Sequence, residues 1–296
     1  MWLFISFASY LLNAFAVLVD KALLKRSIPH PVTYTFYVSV LSLFAFLLTP
    51  FGFYWPGTFL VLVGILSGLA STFALLFFFS SLREGEASRV SPFVGGLVPI
   101  FILFLAWIIL GEFLTSKQIF AFIIIMLGSY LISRKGSNMG PIPPKVIFWS
   151  IAAAFLFALS HTLAKYIYIE HSFSSGFIWR AVGTFLGALF LILPNRTRRI
   201  IFDSFHRISP KMSFIFLFGQ IAAASAFILL NYAFTLGPIA LTNALSGVQH
   251  VFVFFFVLLL AKNHPGILEE TLTPATILRK IFSIILIGGG VFLLFV

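Results

Sequence analysis

Apolar residues run on without alternation along most of this chain, and the polar residues gather in the gaps between the runs. Ten runs can be marked, at residues 2–19, 32–49, 58–82, 91–110, 118–133, 146–169, 174–193, 212–233, 238–261 and 280–296. Each is about 16–25 residues long, against the ~20 that carry an α-helix across ~30 Å of hydrocarbon. A membrane β-barrel would instead alternate apolar and polar positions in segments of about ten. The pattern predicts an all-α polytopic membrane protein with ten transmembrane helices, because only helices satisfy every backbone group within one continuous apolar segment.

Composition points the same way. The 296 residues are 60% hydrophobic and 9% charged, with mean hydropathy +1.10, whereas about a quarter of a soluble domain is charged. There is no cysteine, which excludes disulfides, thiolate chemistry and cysteine-held metal or iron–sulfur sites. The six histidines show neither HxxxH nor HExxH spacing, so no metal or other cofactor is expected. The first run has no basic n-region and no small-residue cleavage site, and reads as a retained helix.

The formal charge of +11 lies in short loops beside apolar helices. There it reports orientation and contact with the headgroups of membrane lipids, and no nucleic-acid partner is expected. All but Lys117, Lys165 and Arg180 of the 19 lysines and arginines fall in alternate gaps, on one side of the membrane. The positive-inside rule makes that side cytoplasmic and turns both termini outward.

The chain divides at residues 134–145, SRKGSNMGPIPP, where glycines and prolines stop a helix. The halves on either side, 1–137 and 145–296, echo each other. Gly85 and Gly237 each stand between two apolar helices. Asp20–Lys21 at the end of the first helix matches Ala164–Lys165 at the end of the sixth. Leu127–Gly128 in the fifth helix matches the triplet Gly288–Gly289–Gly290 in the tenth. Five spans per repeat is an odd number, so the second copy enters the membrane upside down. Inverted repeats of this kind build secondary transporters, with the binding site near the midplane between them.

The residues of this punctuation resemble those of the drug/metabolite transporter superfamily, in particular its EamA-like ten-helix members. The clearest stretch is SSLREGEASRVSPF at 80–93, continuing through LVPI at 97–100 and LGEFLT at 110–115 to Gly128. In the second half AFTLGPIALT at 233–242 is similar to the matching element. The resemblance implies transport of an amino acid, another metabolite, a nucleotide sugar or a toxic organic compound, with no catalytic residues. It also implies cytoplasmic termini, the reverse of what the charge count gives. The second copy departs from the pattern where AKNHP at 261–265, followed by an insertion to Thr273, replaces Gly111–Glu112.

Polar residues inside the spans are the candidate binding groups, since each is costly in hydrocarbon unless it is paired or faces water. In the run 238–261, Asn243, Ser246 and His250 follow i, i+3, i+7 spacing and share a face, with Gln249 beside it. Such a stripe binds a polar solute or, in the plainer reading, bonds neighbouring helices together. Gln220 and Asn231 lie three turns apart in the run before it, Asn231 near the end, where it would brace the turn at Gly237–Pro238. His161 and Lys165 are four apart in the sixth helix, with Lys165 expected to snorkel to the headgroups. Asn13 is the candidate in the first helix, with Asp20 and Lys21 forming an interfacial pair at its end. Arg180, early in the seventh, has the fork geometry that fits carboxylate or phosphate.

Structural or gating roles fall to Lys21, Gly85, Glu86, Arg89, Pro99, Glu112, Lys165, Asn231, Gly237 and Pro238. Glu86 lies three residues from both Arg83 and Arg89, and Pro99 is expected to kink its helix. Together these features predict a multi-pass transporter of the cell (inner) membrane. It would move a small polar or amphipathic metabolite by alternating access, as a single chain or as a homodimer. The competing readings are a membrane enzyme acting on a lipid or isoprenoid, with Arg83, Glu84, Glu86 and Arg89 as its candidate set, and a scaffold without transport.

Overall fold

The computed structural model describes residues 1–24, 30–85, 87–133, 143–205, 210–261 and 274–294, which contain helices and no strands. In chain order the helices begin with α1 (Trp2–Leu24), α2 (Pro31–Leu41, continued by a 3-10 segment Ser42–Leu48) and α3 (Thr58–Glu84). They continue with α4 (Ala87–Leu105, continued by a π turn Ala106–Leu110), α5 (Ser116–Ser133), α6 (Pro144–Glu170), α7 (Phe173–Ile192) and α8 (Asn195–Phe205). The last are α9 (Pro210–Leu236), α10 (Ile239–Ala244), α11 (Ser246–Ala261) and α12 (Pro274–Leu293).

Seven segments among the described residues are long and apolar enough to cross a membrane: Pro31–Leu48, Thr58–Glu84, Phe93–Leu110, Pro144–Glu170, Phe173–Ile192, Leu217–Leu236 and Ile239–Phe256. Trp2–Ala16 and Ser116–Ile132 are shorter apolar helices. The protein is therefore an all-helical, polytopic membrane protein.

Three details differ from the pattern-based expectation. Helix α8 occupies an arginine-rich gap that reads as a loop; its Ile201 is buried against Phe36, Ala188 and Leu191, and its Arg196, Arg198 and Arg199 are exposed. Helix α4 continues across Pro99, and it ends in an unexpected π turn closed by Gly111 at φ 64°. The run 238–261 is two helices rather than one, parted at Leu245, although Leu245 is no helix breaker. Just beyond the break α11 packs closely on α5, where a methyl group on Gly247 would collide with the Ser129 hydroxyl.

The chain forms two compact units. One comprises Leu24–Glu112 and Pro141–Ser213, the other Met1–Leu23, Phe113–Gly140 and Phe214–Val296, so each draws helices from both halves of the sequence.

In the unit holding α2–α4 and α6–α8, the tightest seam joins α3 to α7. Gly64 lies against Trp179, Gly68 against the backbone of Arg180 and Thr184, and Gly187 against Thr72. The near-constant sequence offset of these pairs makes α3 and α7 parallel. A side chain at Gly68 would enter the backbone of α7, which is how small residues set close approach between membrane helices. Thr72 Oγ1 donates across the seam to the Thr184 carbonyl (2.9 Å). Helix α6 runs antiparallel to α3, with Ser67 donating to the Ser160 carbonyl (2.7 Å) near one end and Ser81 bonded to Ser150 (2.6 Å) near the other. Serines at the start of α7 hold the aromatic loop before α3: Ser174 and Ser175 donate to the carbonyls of Phe51 (2.6 Å) and Tyr54 (2.8 Å).

In the other unit, α5 and α12 pack antiparallel through glycines. A methyl group on Gly128 would meet Ile287 Cγ1 at 2.7 Å and the Ser283 carbonyl at 3.0 Å. One on Gly290 would meet Ile125 Cγ1 at 2.6 Å and the Ala121 carbonyl at 3.1 Å. Gly128 and Gly290, Ile125 and Ile287, and Ala121 and Ser283 are each 162 positions apart. The contact is thus reciprocal, as across a two-fold axis.

Each unit also contains the same helix-end arrangement. Gly85 ends the 27-residue α3 and would clash with Val146 of α6, while Gly237 ends the 27-residue α9 and would clash with Trp2 of α1. One turn on, Ser150 bonds back to the Val146 carbonyl (2.8 Å) and Ser6 to the Trp2 carbonyl (2.7 Å). Val146 and Trp2, like Ser150 and Ser6, are 144 positions apart, as are Lys165 and Lys21.

Candidate functional site

The described polar groups inside the spans form two clusters, one in each unit. The first is built on α6, α7 and α3. Residue Arg180 is 2% exposed, and its Nη2 donates to Ser160 Oγ at 3.1 Å. The Tyr168 hydroxyl, two turns along α6 from Ser160, lies within reach of the guanidinium. Thr184 Oγ1 donates to the Arg180 carbonyl (3.1 Å), and Ser67 reaches Ser160 from α3, so hydroxyls from three helices surround the arginine. His161 is buried beside this group, stacked on Phe157 with ring centroids 6.4 Å apart and within electrostatic reach of Arg180.

Lys165 corrects an expectation. It does not snorkel to the headgroups: it is 4% exposed and forms an ion pair with Glu112, just past the π turn of α4. Gly111, in the left-handed region, turns the chain just before Glu112 meets the ammonium. At the other end of α6, Lys145 pairs with Glu84 (3.2 Å), an exposed contact that contributes little.

The second cluster joins α1 to α10 and α11. Asn13 Nδ2 donates to Gln249 Oε1 (2.9 Å), Tyr10 donates to the Thr242 carbonyl (2.8 Å), and Ser9 donates to the Ala226 carbonyl of α9 (2.7 Å). Of the stripe expected on one face, Asn243 is buried, with its amide bonded to Ile239 in its own helix (3.1 Å). Ser246 and His250 are half-buried on α11, beyond the break. Gln220 is half-buried on α9. Asn231 lies in the last two turns of α9, which runs on to Leu236. It is fully buried and bonds the Phe227 carbonyl one turn back (2.8 Å). Pro99 is buried in α4, and Pro238 caps the start of α10. Glu86 lies outside the described residues, as do the side chains of Lys21 and Arg89.

Sequence reasoning passed over Ser9, Tyr10, Ser67, Ser160 and Tyr168. Their one signal was a hydroxyl inside an apolar run, which rarely separates a binding group from a helix contact.

The class these features define is a helical membrane protein with buried polar clusters in its spans. Residues 1–134 match the EamA-like transporter family, so the first half of the chain is EamA-like and the drug/metabolite transporter resemblance stands. The match includes the 80–93 and 110–115 motifs and ends just beyond α5. No curated protein matches the chain. A solved crystal structure described only as that of a protein shares the fold with TM-score 0.70 at 16% identity, over 98% of this chain and 94% of the other.

Proposed function

We propose that the chain is a secondary transporter of the cell (inner) membrane that moves a small polar or amphipathic metabolite by alternating access. It crosses the bilayer ten times as two inverted five-helix repeats, 1–137 and 145–296. The observation that carries this reading is the reciprocal contact of Gly128 and Gly290 between antiparallel α5 and α12. Equivalent positions that meet each other in opposite directions are what an inverted pair of repeats produces, and that architecture serves alternating access. The helix-end arrangements at Gly85 and Gly237 support it independently, and the EamA-like first half supplies the transport class.

The candidate substrate-holding groups of one unit are Arg180, Ser160 and His161, and those of the other, taken by itself, are Asn13 and Gln249. Asn243, Ser246, His250 and Gln220 complete the candidate set. The test is solute flux in proteoliposomes across a panel of amino acids, nucleotide sugars and quaternary amines, with and without a pH gradient. Saturable uptake of one class supports the reading. Its absence for every class, from protein that melts cooperatively, rejects transport of these solutes. Unchanged rates and accumulation on imposing the gradient would show the transport to be uncoupled from protons.

A further inference from the structure

We propose that α8 is an interfacial helix that binds anionic phospholipid, with Arg196, Arg198 and Arg199 on the headgroups and Phe202 in the apolar boundary beneath them. Such binding does not depend on which solute the protein carries. Position is the first ground. Helix α7 is long and apolar enough to span, and it ends on exposed Phe190 and Leu193; α8 begins two residues later, at Asn195. Its eleven residues cover only about 16 Å, too little to cross a bilayer. Ile201 is buried against Phe36 of α2 and Ala188 and Leu191 of α7. The helix therefore lies against the ends of these spans instead of projecting from them, which sets it at the membrane surface.

The division of its side chains is the second ground. Thr197 and Ile201, four apart, face the spans, and Thr197 Oγ1 donates to the Leu191 carbonyl (2.5 Å). Arg198 and Phe202, also four apart, share the adjoining face, where both are exposed. Arg198 Nη2 donates to Asn195 Oδ1 (2.7 Å), a contact that uses one of the five donors of the fork. Arg196 and Arg199 are exposed on the side turned away from Ile201. Arg196 and the exposed Arg83 at the end of α3 both act on His30, so α8 extends a basic patch at this end of the unit. The single acid of α8, Asp203, leaves a surplus of positive charge. Exposed arginines beside an exposed phenylalanine complement an anionic bilayer surface: lipid phosphates accept from the guanidinium groups, and the acyl boundary takes the ring. An acidic soluble partner would complement the arginines alone. Phe202, placed just past the lipid-facing end of a span, favours the membrane.

The chain lacks cysteine, so Phe202→Cys supplies the sole thiol for an environment-sensitive fluorophore. The full chain is reconstituted in phosphatidylcholine vesicles that contain brominated phosphatidylglycerol or brominated phosphatidylcholine as the quencher. Quenching should show at least about a fivefold preference for phosphatidylglycerol beside the probe, the gain that one arginine brings at an anionic surface. The preference should shrink in ~0.5 M salt, which screens headgroup charge. Replacing Arg196, Arg198 and Arg199 together by Gln should bring it to about one. Arg198→Gln alone should lower it by about twofold or more, which keeps the test decisive if the triple variant does not fold. A probe at the exposed Ile285→Cys of α12 should show no preference. The site is overturned if the probe at 202 shows no preference for phosphatidylglycerol. It is also overturned if the preference survives salt and the arginine substitutions, or if the probe at 285 shows it equally. A probe at 202 that neither lipid quenches, but that soluble polyglutamate shifts, would assign the arginines to an acidic partner in water and remove the lipid reading.

Discussion

Lys165 and Glu112 form an ion pair in which the lysine side chain is 5% exposed and the glutamate 24%. Glu112 is the last residue before the chain leaves one compact unit for the other. Gly111, in the left-handed region at φ 64°, directs the chain at that exit, and the preceding π turn shifts the helix register. The pair therefore fixes the point where α4 hands over to the next segment.

Breaking one side of the pair leaves a charge without its partner. Removing one partner of a fully buried pair costs about 3–5 kcal/mol, and the partial exposure of Glu112 lowers the expectation to about 1–3 kcal/mol. Lys165→Met and Glu112→Gln should each lower stability by that amount. The double variant should be less destabilised than the two single effects added together. Thermal melts of the four proteins in one detergent close the cycle, and additive losses would show that the pair contributes no coupling.

The glycine triplet near the end of α12 separates by position. A methyl group on Gly288 or Gly289 meets nothing within 4 Å, whereas Gly290 is pressed on α5. Gly288→Ala and Gly289→Ala should leave stability within about 0.5 kcal/mol of the native chain. Gly290→Ala and its counterpart Gly128→Ala should each cost about 1–3 kcal/mol through overpacking. Equal losses at 128 and 290 are the signature of the reciprocal contact, and a neutral Gly128→Ala would contradict it.

Much of this was legible because hydrocarbon is an unforgiving solvent. A helix lies in every one of the ten apolar runs, and among the glycines that punctuate the two halves Gly85, Gly128, Gly237 and Gly290 are tight while Gly288 and Gly289 are not. Helix α8 was not legible: eleven residues with three exposed arginines look like a loop until Ile201 is seen to be buried. The break at Leu245 was not legible either, since Leu245 is no helix breaker and the close neighbour just beyond it, Ser129 against Gly247, is more than a hundred residues away in sequence. The Lys165–Glu112 pair was half legible. The charge pattern put both residues on the same side of the membrane, but nothing in either segment announces a partner 53 residues away.

His30 gives a pH dependence outside the spans. Its Nδ1 accepts the Val32 N–H (3.4 Å) and caps α2. Burial, and then the charges of Arg83 and Arg196, hold the imidazole below its ordinary value of 6.5. With the folded value below the unfolded one, the unfolded chain binds the proton first. The stabilisation is complete above the unfolded value and is lost as pH falls through the folded one. Stability of the native chain should fall between about pH 7 and pH 5 more steeply than that of His30→Asn, which keeps a capping acceptor that does not titrate. Parallel curves for the two proteins would remove His30 as the source.

Orientation can be tested without first altering the chain, because it contains no cysteine and every introduced thiol is the sole reporter. Arg198 on α8 and Lys145 at the start of α6 are exposed at the end of their unit that also carries Arg83. Lys117, on the first turn of α5, belongs to the sparsely charged side. By the positive-inside rule, Arg198→Cys and Lys145→Cys should react with a membrane-impermeant maleimide only after the cells are opened, and Lys117→Cys in intact cells. The opposite pattern would mean that the protein inserts against its charge asymmetry, with cytoplasmic termini as the EamA-like resemblance implies. Labelling of a single position from both sides would point instead to mixed insertion, which a weak charge bias permits and sixteen basic residues on one side should prevent.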